Sequence, residues 1–284
     1  NHPLTPAGIT AVSSTDRRIR LAAVGDNCVD ILQPSGHRFV GGNALNVAVQ
    51  FATLGGSSAY FGAVGKDDDG ALTARLLARG GVDISHLVRR SLPTAHTEIH
   101  VSETGERRIG FEDFGACAGY APDKKALAAM LAADHVHIGW LDDSGALRRR
   151  LVAAGRSVSQ DITVNASAES LRVEGLAIAF ASIEGPHQAA ARLADSLLTA
   201  GARGVVVTRG ALGSSLFLNG TGIEIPARPI VAIDTTGAGD SYIAAFLHGW
   251  LSGATPQTAG AQAAAHAALT CMHEGGFRQA PADV

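Results

Sequence analysis

Ala177-Ile178-Ala179-Phe180-Ala181, the helical run His187–Ala200, and then Gly204-Val205-Val206-Val207-Thr208 form the stretch that decides the fold. They read strand, helix, strand. The same alternation extends upstream. Arg20–Val24, Ser58–Val64, His135–Gly139 and Ser157–Asp161 read as strands. Ala44–Leu54, Gly70–Ala78, Lys124–Ala132 and Ala146–Ala154 read as helices, the first stopping at Gly55-Gly56 as a helix C-terminus should. Strands that alternate with helices in this way predict a parallel sheet covered on both faces, an α/β fold. Downstream, Ser214–Leu218 and Gly222–Ile225 flank Asn219-Gly220 and predict a hairpin. Two helices, Ala238–Leu251 and Thr255–His273, close the pattern.

Two regions break the rhythm. Residues 31–40 and 94–114 alternate over short runs, with a turn at Glu103-Thr104-Gly105-Glu106. They predict half-buried strands forming a small β flap on the main domain. The chain divides accordingly into a flexible leader (1–18), one domain with its flap (19–276) and a C-terminal tail (277–284).

Composition narrows the function. With 284 residues, 46% of them hydrophobic and 17% charged, the chain can bury a large core, which excludes general disorder. A net charge of -3 lacks the basic excess of a nucleic-acid binder. Cys28, Cys117 and Cys271 are too scattered for a disulfide framework, which suits a reducing compartment. There is no unbroken apolar run of about 20 residues, and Asn1–Arg18 does not have the pattern of a signal peptide. The expected location is the cytoplasm, with no membrane or nucleic-acid partner.

The chemistry concentrates in Asp234-Thr235-Thr236-Gly237-Ala238-Gly239-Asp240, just before the apolar Tyr242–Trp250. Small residues opening a helix let a phosphate approach the free N–H groups of the first turn. Asp240 would repel a phosphate, but it makes sense facing a hydroxyl beside one, where it can take the proton. No GxxxxGK[ST] string is present, which disfavours a P-loop enzyme.

That string resembles the second signature of the PfkB (ribokinase-like) carbohydrate kinases. Gly41-Gly42-Asn43-Ala44-Leu45-Asn46-Val47-Ala48 resembles the first. Gly25-Asp26-Asn27-Cys28-Val29-Asp30-Ile31, Gly81-Val82-Asp83-Ile84-Ser85-His86 and Ala245-Phe246-Leu247-His248-Gly249-Trp250 are similar to the fructoselysine 6-kinase branch. The resemblance implies a doubly wound parallel sheet flanked by helices with a β lid, homodimeric through that lid. It implies an ATP-dependent kinase acting on a primary hydroxyl, O6 of a fructoselysine-type Amadori sugar. Asp240 would be the base, and Gly237, Ala238 and Gly239 the anion hole. Asp26, Asp30, Gly41, Gly42, Asn43 and Asn46 would bind the sugar or sugar amine. Thr208, Arg209, Gly210, Gly213 and Ala264 would bind ATP. Mg²⁺ would be held by the phosphates with help from Glu184. A monovalent cation such as K⁺ would sit near Asp234 and Thr236.

Two segments depart from the family pattern. Its Asn-x-x-Glu is replaced by Ser182-Ile183-Glu184-Gly185, and its Asp-x-Asn-x-Arg by Asp161-Ile162-Thr163-Val164-Asn165. Three further readings stay open here. One is a ribokinase-, fructokinase- or nucleoside-kinase-like activity on another acceptor. A second is a non-catalytic sugar or nucleotide binder. A redox enzyme is the third, although no glycine-rich dinucleotide turn follows the first strand. Glu112, Asp113, Asp142 and Asp143 are acids that could meet a cationic amine, or plain solvated loop acids. His135 and His137 share a strand face and read as packed side chains, not zinc ligands.

Overall fold

The structure, a computed structural model, describes residues 18–102 and 107–282. The leader, apart from Arg18, and the turn Glu103–Glu106 lie outside the described residues.

Strand β1 (Arg20–Val24) opens the main sheet, and the chain then leaves it for β2 (Cys28–Gln33) and β3 (Arg38–Gly41). Helix α1 (Asn43–Thr53) leads back to β4 (Ser57–Phe61). After β5 (Ala63–Gly65), α2 (Asp68–Arg79) and β6 (Val88–Arg90), a second excursion forms β7 (His96–Val101) and β8 (Arg107–Asp113). The sheet then grows by α3 (Lys124–Ala132), β9 (His135–Ile138), α4 (Ala146–Ala153), β10 (Val158–Asp161), β11 (Ile178–Ser182), α5 (His187–Thr199) and β12 (Gly204–Thr208). The hairpin β13 (Ser214–Leu218) and β14 (Thr221–Ile225) precedes α6 (Ala238–Leu251) and α7 (Pro256–Thr270).

The main sheet runs β14-β13-β12-β11-β10-β9-β1-β4. The strands from β12 to β4 are parallel, and the hairpin extends that edge antiparallel. Period-two alternation along each strand serves two cores. Ala179, Ala181, Val205 and Val207 pack with α3, α4 and α5, whereas Ile178, Phe180 and Val206 pack with α6 and α7. A fully buried side chain such as Leu151 or Phe246 contributes about 2 kcal/mol by leaving water. Both faces are covered, as the strand–helix alternation predicts.

The excursions form one four-stranded sheet, β3-β2-β7-β8. β2 and β7 pair in parallel, and Asp30, Thr97 and Glu112 stand in one row across three strands. The run Ser58–Val64, expected as one strand, is two. It breaks at Gly62, where a Cβ would stand 2.2 Å from the Tyr60 hydroxyl and 2.6 Å from the Gly25 carbonyl. The Tyr60 hydroxyl donates to that carbonyl at 2.9 Å, so β5 turns away and pairs with β6 instead.

The C-terminal segment is strapped to the lid. Phe277 is buried beside Val40, Gln279 exchanges two hydrogen bonds of 2.8 Å with the Val40 backbone, and Ala282 pairs with Arg38. In the sheet, His135 bridges Ser157 and Ser159 at 2.8 Å, and Ser159 also meets His137 at 2.9 Å. Burial drives both imidazoles down to about 3, so they are neutral packed groups.

Candidate active site

β1 has β4 on one side and β9 on the other, so the strand order reverses there. The crevice beyond the carboxyl ends of β1 and β9 is where an open α/β sheet offers a ligand site. Asp26 follows β1 and Trp140 follows β9. The Trp140 N–H donates to Asp26 Oδ1 at 3.2 Å, closing the gap. Asp26 also accepts the N–H groups of Asn43 at 2.9 Å and Ala44 at 3.0 Å, in the first turn of α1. Burial pushes its carboxyl up, against the lowering by those N–H groups. Its protein contacts therefore brace α1. Gly41 ends β3, and Gly42 is the residue before α1.

Across the crevice, α6 begins after Gly237, whose φ is +71°. A Cβ there would stand 2.5 Å from Gly276 Cα, so both backbone conformation and space require glycine. One turn in, Asp240 faces α1. Its Oδ1 accepts from Asn43 Nδ2 at 2.7 Å and its Oδ2 from Asn46 Nδ2 at 2.8 Å. Asn43 Nδ2 also donates to Asp161 Oδ2, at the end of β10, at 2.8 Å. Burial raises the Asp240 carboxyl well above its ordinary range. The Asn46 hydrogen bond opposes that shift, and the charges of Asp161 and Asp26 add to it. A carboxylate so raised is a better proton acceptor near neutral pH.

A cavity of about 290 Å³ opens in front of Asp240, between α1 and the lid. Asp26, Asp30, Asn43, Asn46, Glu112, Asp113 and Asp240 line it together with Thr97, Ile99 and Ile109. Among the described residues, no Lys, Arg or His lines it. Asp30 enters from β2 in line with Thr97, whose hydroxyl lies 3.0 Å from Cys28 Sγ.

A second cavity, of about 560 Å³, lies on the other side of the same helix start. Ala238 and Gly239 border it, with Thr208, Gly210 and Gly213 from the end of β12 and Ala264 from α7. Gly239 has open space where a side chain would stand. Arg209 departs from its neighbours: its guanidinium pairs with Glu224 Oε2 at 2.6 Å and is not part of this lining. The two cavities thus meet at the first turn of α6.

The donor set does not form a metal cage. Among the described residues no three His, Cys, Asp or Glu side chains are grouped so that they could hold a metal ion. Glu184 is exposed beyond β11 and lines neither cavity. Mg²⁺ fits only as part of its nucleotide complex, held by phosphate oxygens and water. Asp234 is buried, and it accepts the Thr236 N–H at 2.9 Å, the Thr236 hydroxyl at 2.7 Å and the Gly275 N–H at 2.9 Å. Those three donors already brace this loop.

Asp161 is the site residue that sequence reasoning passed over. It appeared only as the start of a departed motif, yet it shares an amide nitrogen with Asp240. The available signal was an acid closing a strand of the parallel sheet, at the edge where such sheets bind ligands.

The pattern of the pfkB family carbohydrate kinases matches residues 9–154 and 172–283. A fructoselysine 6-kinase of Shigella flexneri is 35% identical over 90% of this chain and 99% of its own length. The fructosamine kinase FrlD of Bacillus subtilis is 31% identical over 91% of this chain and 93% of its own. The ribokinase of Arabidopsis thaliana, solved with ribose and ATP, superposes with a TM-score of 0.82 at 23% identity, covering 91% of this chain and 94% of its own; it shares the fold.

Proposed function

The chain belongs to the pfkB family of carbohydrate kinases, phosphotransferases acting on a sugar hydroxyl, and from that premise we propose that it phosphorylates a fructoselysine-type sugar amine at its primary O6. The observation that carries the acceptor is the cavity before Asp240: four carboxylates besides Asp240 line it, Asp26, Asp30, Glu112 and Asp113, and among the described residues no cationic side chain does. Such a lining favours a sugar bearing a protonated amine over a neutral or anionic one. The fructoselysine and fructosamine kinases among its relatives support the same reading.

In this mechanism ATP occupies the cavity of Thr208, Gly213 and Ala264, with its γ-phosphate over Gly237, Ala238 and Gly239. Backbone N–H groups at the helix start hold the charge of the transferring group. Asn43 and Asn46 hold Asp240 with one oxygen near the acceptor hydroxyl. Asp240 takes the hydroxyl proton as the oxygen attacks phosphorus in line. The transfer is direct, from one cavity to the next. Mg²⁺, arriving with the nucleotide, would neutralise phosphate charge. No step is assigned to Glu184, Arg209 or a monovalent cation. A homodimer through the lid is supported by Phe111, which is 50% exposed on the lid strand β8. No helix among the described residues is long and apolar enough to cross a membrane; a cytoplasmic location is part of the proposed reading.

The test is ADP release with MgATP over a panel of fructosamines, free sugars and nucleosides. Turnover confined to fructosamines supports the reading. Turnover with fructose or a nucleoside at comparable kcat/KM keeps the kinase and discards the sugar amine.

A further inference from the structure

We propose that Asp161 is a positioning residue for the phosphoryl transfer. Through the side-chain amide of Asn43 it fixes the rotamer of Asp240 and keeps a negative charge beside it, which makes Asp240 a stronger base. This rests on Asp240 being the base.

Asn43 Nδ2 donates to Asp161 Oδ2 at 2.8 Å and to Asp240 Oδ1 at 2.7 Å. An amide NH₂ has two hydrogens, and this one gives one to each carboxylate. Turning the amide over would set its oxygen against two acids. Its orientation is therefore fixed, although Asn43 Oδ1 is buried without a hydrogen-bond partner. Asn43 cannot satisfy Asp240 alone and leave Asp161 aside, and the two carboxylates are held as a pair. Without Asp161, the amide loses the acceptor that keeps it from rotating.

Asp161 is itself anchored. Its Oδ1 accepts the Thr163 N–H at 2.9 Å, and the Thr163 hydroxyl oxygen accepts the Ser182 N–H at 2.8 Å. Ser182 borders the nucleotide cavity. A chain of hydrogen bonds thus runs from the nucleotide side, through Asp161 and Asn43, to Asp240 on the acceptor side.

The charges facing Asp240 can be named. Asp161 comes from β10 and Asp26 from the turn after β1, while Asp30, Glu112 and Asp113 line the same cavity from the lid. The partners from α1, Asn43 and Asn46, are neutral. Asp26 spends its charge on three backbone N–H groups. Of the two neighbouring charges that raise Asp240, Asp161 has the larger effect. Burial raises the Asp161 carboxyl, and the hydrogen bonds from Thr163 and Asn43 counter that rise.

The experiment is the pH dependence of kcat, with KM for ATP, in the native enzyme, Asp161→Asn and Asp161→Glu. Asp240 works ionised, so activity is lost as pH falls through its pKa. Removing the neighbouring charge lowers that pKa. Asp161→Asn should move the acid limb down by about one pH unit and lower the plateau kcat about tenfold. KM for ATP should stay within about twofold of native, because Asp161 reaches the border of the nucleotide cavity only indirectly, through the Thr163 backbone and Ser182. Asp161→Glu should keep the limb near its native position. An acid limb that stays put or moves up in Asp161→Asn, whatever the loss of kcat or of thermal stability, overturns the proposal. Should Asp161→Asn fail to fold, Asp161→Ser gives the same readout. Asp240→Asn run in parallel keeps the two readings apart: if it retains native kcat, the base assignment fails, and an Asp161 result then says nothing in its favour.

Discussion

On the proposed function, the two cavities that meet at the first turn of α6 would hold their ligands by opposite means. The acceptor side is built from side chains: carboxylates and amides drawn from α1, the lid and the strand ends. The nucleotide side is built from backbone and from small residues, with glycine, alanine, serine and threonine supplying most of its wall. A side-chain site reads hydroxyls and charge, and an unpaired partner there penalises the wrong acceptor. A backbone site reads shape and phosphate. Substitutions on the two sides should therefore fail in different ways.

The largest effect is expected at the junction. Asp240→Asn removes the base and keeps the shape, so kcat should fall about a thousandfold with acceptor KM close to native. A kcat within tenfold of native would break the division of labour between the cavities. Next comes Gly237→Ala, which forces a residue with φ +71° and a Cβ 2.5 Å from Gly276 Cα. It should destabilise the fold by about 2 kcal/mol and lower kcat, read together by urea unfolding and kinetics. A fully stable, fully active variant would mean that the helix start tolerates side chains.

A change confined to one wall sharpens the contrast further. Ala264→Leu narrows the nucleotide cavity and should raise KM for ATP about tenfold, a cost near 1.4 kcal/mol, leaving the acceptor KM alone. An equal rise in both KM values would show that the cavities are not independent.

The smallest effect separates activity from stability. His135 and His137 fold as neutral imidazoles with pKa values near 3, against 6.5 for the free group. Because the folded value is the lower one, their contribution is full above pH 6.5 and is lost as pH falls from there toward 3. At pH 6 the loss is roughly 0.8 kcal/mol per histidine. Urea midpoints at pH 8 and pH 6 check it, and a midpoint that rises on acidification would contradict the neutral assignment.

What the sequence reveals follows from how local each signal is. The strands flanking His187–Thr199 and the hairpin at Asn219-Gly220 depend on neighbours a few residues away, and both are legible. The α6 turn is legible too, because its chemistry lies in seven consecutive residues. The pairing of Asp161 with Asp240 is not. It runs through Asn43, which is 118 residues from one acid and 197 from the other. Only the sheet topology brings the three together. The break at Gly62 and the docking of Gln279 on Val40 were hidden for the same reason: both are decided by contacts from elsewhere in the chain. Arg209 shows the converse. Its motif was readable, but the approach of Glu224 from β14 that draws its side chain away was not.

The central claim is direct transfer between adjacent cavities across the start of α6. It can be tested with ATP made chiral at its γ-phosphorus by oxygen isotopes, followed by configurational assignment of the phosphorylated sugar amine. A single in-line displacement predicts inversion at phosphorus. Retention would reveal a covalent phosphoenzyme between the two cavities and would contradict the role given to Asp240.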